Sequence, residues 1–287
     1  MTNILQAIAT IIKNPVPDLR SYQSKANNTI NAVGDALEYF VKDAFADTID
    51  EPDFSNKEKK YEELFSWSGN QNNPPDFMIR NGDAIEVKKI QISRARIALN
   101  SSYPKSKLFS NHPQIASACR NCETWTEKDI VYVIGATSAD KTKQTMKRLW
   151  LIYGDCYAAS KEYYERIRDQ IATGINAIPD VEFSKTRELG RVNKVDPLGI
   201  TYLRIRGMWG INNPSIVFDY INTGYDPQTN FQIIAIMKES KYLSLPLDSR
   251  TMIESISVPG FNINTQRIKC PDNPVNLIPA KIITYNI

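Results

Sequence analysis

The chain has 287 residues, 42% hydrophobic and 23% charged, with a formal net charge of +3. That composition suits a soluble globular protein, and no apolar run reaches the roughly 18 residues of a membrane helix, so no membrane partner is expected. A single histidine and four cysteines exclude His-rich zinc sites and the histidine-dependent nuclease chemistries.

In chain order, the first segment is MTNILQAIATIIKNP. Ile4, Ile8, Ile11 and Ile12 recur at helical spacing without a basic leader or a small-residue cleavage site, so residues 2–13 read as a surface helix. Residues 24–46 carry Ile30, Val33, Leu37, Phe40, Val41 and Phe45 at the same spacing and predict a long amphipathic helix. Residues 57–66 continue in helical or mixed style. Residues 77–80 and 83–90 read as strands joined by Asn81-Gly82, a two-residue hairpin signal. His112 lies in a polar loop, SNHPQ. Cys119 and Cys122 form a lone CxxC; with Cys156 and Cys270 they lack a second such pair, so reduced thiols of a cytoplasmic protein are expected. KDIVYVIGA (128–136) predicts a buried central strand. Strands follow at 148–154, 202–206, 230–237 and 281–285, and a helix at 160–175. This mixture implies an α/β or α+β core, a mixed sheet flanked by helices.

The stretch PPDFMIRNGDAIEVKK (74–89) carries the chemistry. With Asn81-Gly82 as the whole turn, Arg80 pairs with Asp83, Phe77 pairs with Glu86, and Asp76 lies beside Val87. Glu86 and Lys88 share one face of the second strand. Asp76, Glu86 and Lys88 then gather at one end of the hairpin. Two carboxylates plus a substrate phosphate oxygen are a typical set for Mg²⁺. A bound ion lowers the pKa of its water and neutralises charge at phosphorus, and a lysine two residues after the second acid can position the attacking water. In-line hydrolysis leaving 5′-phosphate and 3′-hydroxyl ends follows. An exposed hairpin with a plain Glu–Lys pair fits the same residues.

Pro75-Asp76 followed by Glu86-Val87-Lys88 resembles the PD-(D/E)xK nuclease signature. GDALEYFVKDAF (34–45), NPPDFMIRNGDAIEVKKI (73–90), ALNSSYPKSKL (98–108), KDIVYVIG (128–135) and ELGRVNKVDPLGITYLRIRGMWGI (188–211) together resemble the type II restriction endonucleases of the NgoPII family. The resemblance covers residues 1–222 and implies a PD-(D/E)xK restriction-endonuclease-like core there, bearing the DNA-recognition elements. Residues 223–287 then form a strand-rich extension packed on the same domain. It also implies a homodimer that cuts a short palindromic site in double-stranded DNA with Mg²⁺, GGCC being the sequence read by the family's name member. A cognate DNA methyltransferase would be its functional partner. Glu38, in GDALEYF, matches the helix acid that such enzymes often place near the metal, beside Asp76 and Glu86.

Two polar, basic segments suit DNA. Ser101, Ser102, Lys105 and Lys107 follow the catalytic strand and supply phosphate donors. Arg187, Arg191, Asn193, Lys194, Arg204 and Arg206 form the second cluster, where arginine suits bidentate contact with guanine. Solvated surface loops and ion pairs with neighbouring acids are the plainer alternatives, and Trp209 reads as a packing anchor beneath the cluster. A repair or junction nuclease, or a DNA-binding protein without catalysis, would share most of these features.

Overall fold

The computed structural model describes residues 2–15, 18–19, 33–70, 73–91, 96–138, 145–186, 189–224 and 229–287. Helices α1 (Ile4–Lys13), α2 (Val33–Ala46) and α3 (Phe54–Leu64) precede strands β1 (Phe65–Asn70), β2 (Asn73–Ile79), β3 (Ala84–Gln91), β4 (Ile97–Asn100) and β5 (Lys107–Phe109). A helical turn, α4 (Ser117–Arg120), leads to β6 (Glu127–Thr137), β7 (Met146–Tyr153), α5 (Gly154–Tyr157) and α6 (Lys161–Asn176). Short strands follow: β8 (Glu182–Ser184), β9 (Gly190–Asn193), β10 (Leu203–Ile205) and β11 (Trp209–Ile211), then α7 (Pro214–Val217). The chain closes with β12 (Gln232–Lys238), α8 (Glu239–Ser244), α9 (Leu247–Glu254), β13 (Phe261–Cys270) and β14 (Asn273–Asn286).

Asn3 caps α1. Its side chain accepts from the Leu5 and Gln6 amides, and the Gln6 side chain accepts from the Asn3 amide in return. The expectation of a surface helix is corrected here. Ile4, Leu5, Ala7, Ile8, Ala9, Ile11 and Ile12 are all buried, with α1 packed against α2 and α9. Apolar residues cover nearly the whole circumference of this helix, and a helix apolar all round is driven inside. The expected 24–46 helix is seen from Val33 onward; Ile30 and the rest of 20–32 lie outside the described residues.

The main sheet runs β1-β2-β3-β6-β7-β12-β14-β13, with β5 also pairing to β6. The β3–β6 and β7–β12 pairs are parallel and the other neighbours antiparallel. β6, β7 and β12 form its centre and are buried along most of their length, which is why they read as continuous apolar runs. α2 lies close over this sheet at Gly135, where a Cβ would sit 2.6 Å from the Leu37 side chain. A larger residue there would force the Leu37 side chain to shift. Ile268, Ile282 and Ile283 join the same core as Ile130–Ile134, so β12 to β14 extend the sheet and share its core. Two smaller sheets lie apart from it, β10-β9-β8 and β11-β4, and the first carries Arg191, Asn193 and Arg204 of the second basic cluster.

Candidate active site

The hairpin register differs from the sequence expectation by one residue. Phe77 pairs with Ile85 and Met78 with Ala84. The turn is longer than Asn81-Gly82 alone: the Ile79 amide donates to the Asp83 carbonyl at 3.0 Å, and the Gly82 amide to the Ile79 carbonyl at 2.9 Å. Asn81 adopts the left-handed region, φ 54°, which asparagine tolerates better than most residues. A one-residue slip swaps faces. Continued by one residue, this register sets Asp76 level with Glu86 instead of Val87, and the Glu86 charge acts on Asp76. Strand pairing ends at Phe77–Ile85, and beyond it the Asp76 carboxylate accepts the Val87 amide at 2.6 Å. The acids thus meet where β2 leaves β3.

Lys88 Nζ lies 2.6 Å from Glu86 Oε1. The other oxygen, Glu86 Oε2, is buried without a hydrogen-bond partner. Burial raises the Asp76 pKa to about 7; the Glu86 charge adds to this, while Lys88 and the Val87 amide oppose it. Burial alone would lower the Lys88 pKa, yet Glu86, Asp76 and Glu38 outweigh it and the net direction is upward. Lys88 thus remains an ammonium among three acids.

Glu38 was expected as a third metal ligand. The structure instead pairs it with Lys42 one turn along α2, at 2.8 Å, and its charge still reaches Asp76 and Lys88. Among the described residues no three His, Cys, Asp or Glu side chains cluster closely enough to hold a metal. Two carboxylates are nonetheless an adequate protein contribution for Mg²⁺, which takes its remaining ligands from water and substrate phosphate. The unpartnered buried Glu86 Oε2 fits such a hard cation, because a buried carboxylate oxygen left alone is costly.

The first basic segment folds over this face. Tyr132 is the β6 neighbour of Glu86, and its hydroxyl accepts the Lys105 amide at 2.7 Å. Lys105, read from the sequence as a surface phosphate donor, is instead 5% exposed. Its ammonium donates to Ser102 Oγ and to the Tyr103 carbonyl. Burial lowers its pKa to about 8, with Glu86 opposing and Lys88 adding to the shift. Ser101 and Ser102 are half-buried, and Lys107 pairs with Glu127 at 2.7 Å and Asp129 at 3.6 Å. His112, expected in a polar loop, is buried edge-on to Tyr103; burial lowers its pKa to about 3 and keeps it neutral.

In the second cluster, Arg191 and Arg204 sit directly opposite on β9 and β10, both exposed, and the Arg191 guanidinium lies 3.7 Å from the centre of the Tyr202 ring. Asn193 donates to Ser184 Oγ at 2.7 Å, Lys194 pairs with Glu182 at 2.8 Å, and Arg206 donates to Ser101 Oγ at 3.4 Å. The Arg206 contact links the two basic segments. Arg187 lies outside the described residues. Trp209 packs edge-on to Tyr164 and Tyr103 against the core. Sequence reasoning missed Tyr132 and Lys42; Tyr132 sits in an apolar run where only strand pairing places it beside Glu86.

A large mixed sheet flanked by helices, with two acids and a lysine where a hairpin leaves it, is consistent with a restriction-endonuclease-like fold. The chain belongs to the NgoPII restriction endonuclease family, whose model matches residues 2–269. The type II restriction enzyme NgoPII of Neisseria gonorrhoeae is 44% identical over 285 residues, covering 99% of this chain and 100% of that protein. No solved structure matches the chain.

Proposed function

We propose that this protein is a type II restriction endonuclease of the PD-(D/E)xK kind, cleaving double-stranded DNA at a short palindromic site with Mg²⁺. The observation that carries the reading is the closeness of Asp76 and Glu86, whose charge acts on Asp76, with Lys88 ion-paired to Glu86, in a chain of this family. Asp76 and Glu86 would hold the ion, whose chemistry is to acidify a water and neutralise charge at phosphorus. Lys88 holds Glu86 Oε1 and keeps a donor at the edge of the acidic pair, where it orients the attacking water. The Val87 amide fixes the Asp76 carboxylate so that its second oxygen is free to face the substrate. Glu38 acts through its charge on Asp76 and Lys88.

Arg191 and Arg204, exposed cross-strand neighbours on β9 and β10, suit a backbone phosphate or a guanine edge. Arg206 and Ser101 join that surface to the segment over Glu86. A palindrome is most simply read by two copies related by a two-fold axis, so the working unit is a homodimer. A methyltransferase of the same specificity is its functional partner, and GGCC is the first site to test. Residues 223–287 are taken as part of the domain formed by 1–222, since β12 to β14 lie in the same sheet.

Digesting a plasmid in Mg²⁺ and sequencing the fragment ends tests this reading. Discrete fragments sharing one palindrome are expected. A smear, or cleavage confined to branched DNA, would replace it with a repair or junction nuclease, and binding without scission with a non-catalytic DNA-binding protein.

A further inference from the structure

Lys105 is a charged group in an unusual place. It is buried, its ammonium is held by the Ser102 hydroxyl and the Tyr103 carbonyl and lies 5.5 Å from the centre of the Tyr103 ring, and no described carboxylate lies within ion-pair distance of it. A lysine needed only to tie down its own loop gains nothing from a full charge there, since burying an unpaired ammonium is costly. Its backbone is pinned by Tyr132, which flanks Glu86 in the sheet. The charges it feels are those of Glu86 and Lys88.

We infer that Lys105 is a positioning residue for the acidic pair: its buried charge beside Glu86 offsets the repulsion between Asp76 and Glu86 and sets how tightly a divalent cation is held between them. Two carboxylates on one face bind a cation more tightly the less they are compensated. Lys88 compensates from the open side and Lys105 from the protein side. Removing Lys105 therefore tightens the cation site, whereas removing a ligand loosens it. A lysine that merely stabilises its loop would loosen the site or leave it unchanged.

The inference rests on the reading of Asp76 and Glu86 as the divalent site. Its test is calorimetric titration of the full-length, DNA-free protein with Ca²⁺ at pH 7, where Lys105 still carries its proton, comparing wild type, Lys105→Gln, Lys105→Met and Asp76→Asn. Glutamine retains donors for Ser102 and Tyr103, and melting curves establish which variants are folded. A folded Lys105 variant is expected to bind Ca²⁺ at least about tenfold more tightly than wild type, the scale of one unit charge several ångströms from a divalent ion even at a water-like dielectric of about 80. Asp76→Asn is expected to lose the binding. Unchanged or weaker binding in a folded Lys105 variant overturns the inference alone, and failure of both variants to fold overturns it in favour of a structural lysine. Wild-type binding that Asp76→Asn leaves intact overturns the underlying assignment of the site.

Discussion

Asp76 should make the protein less stable as pH rises, and replacing it should remove that dependence. Its pKa stands at about 7 against an ordinary 3.8, chiefly through burial and then through Glu86. The folded state therefore keeps a proton that the unfolded state has lost between those two values. Stability from this group is complete below pH 3.8, falls as pH rises, and levels off above pH 7. At about 1.4 kcal/mol per pH unit, the bound is about 4 kcal/mol, reduced by whatever relaxation the site allows. Asparagine keeps an acceptor for the Val87 amide and cannot ionise. In urea titrations with a chelator, Asp76→Asn should match wild type near pH 4 and exceed it by about 2–4 kcal/mol at pH 8. Adding Mg²⁺ should stabilise wild type at pH 8 and leave the variant unmoved. A pH-independent difference between the two proteins, or a variant less stable than wild type at pH 8, would refute the account of a strained acidic pair.

Lys88→Ala should cut about 10²–10⁴-fold more slowly in single-turnover assays, the usual range for a proton-handling side chain, with DNA affinity changed little. Arg204→Ala and Arg191→Ala should each weaken binding and lower the slope of log affinity against log salt by about 1, read by fluorescence anisotropy across a salt series. Gly135→Ala places a methyl against Leu37 and should cost about 1–3 kcal/mol in thermal or urea unfolding, with the site chemistry unaltered in the folded fraction.

The local chemistry of the hairpin was legible because its parts are close in sequence. Asp76, Glu86 and Lys88 sit within one turn unit, and the turn was marked by Asn81-Gly82. The exact pairing was not, since the Ile79–Asp83 contact lengthens the turn by a residue, and that choice depends on the backbone rather than on residue type. The central strands β6, β7 and β12 were readable as apolar runs. β13 was not: the alternation of Phe261 to Asn264 lapses at Thr265 and Arg267, and its place comes from pairing with β14. The burial of α1 depends on α2 and α9 covering both its sides, and no local pattern reports that. Lys105 shows the same limit in the site itself. Its neighbours Ser101 to Lys107 look like a surface loop, and only Tyr132, distant in sequence, draws it inside.

The most direct measurement is cleavage of a duplex carrying the mapped site by Asp76→Asn in Mg²⁺, with binding checked first in chelator. The variant is expected to bind at least as tightly as wild type, having lost a carboxylate that repels phosphate, and to leave the strands intact over the time in which wild type cuts completely. An Asp76→Asn protein that cuts at the wild-type rate would contradict the assignment of the acidic pair to catalysis.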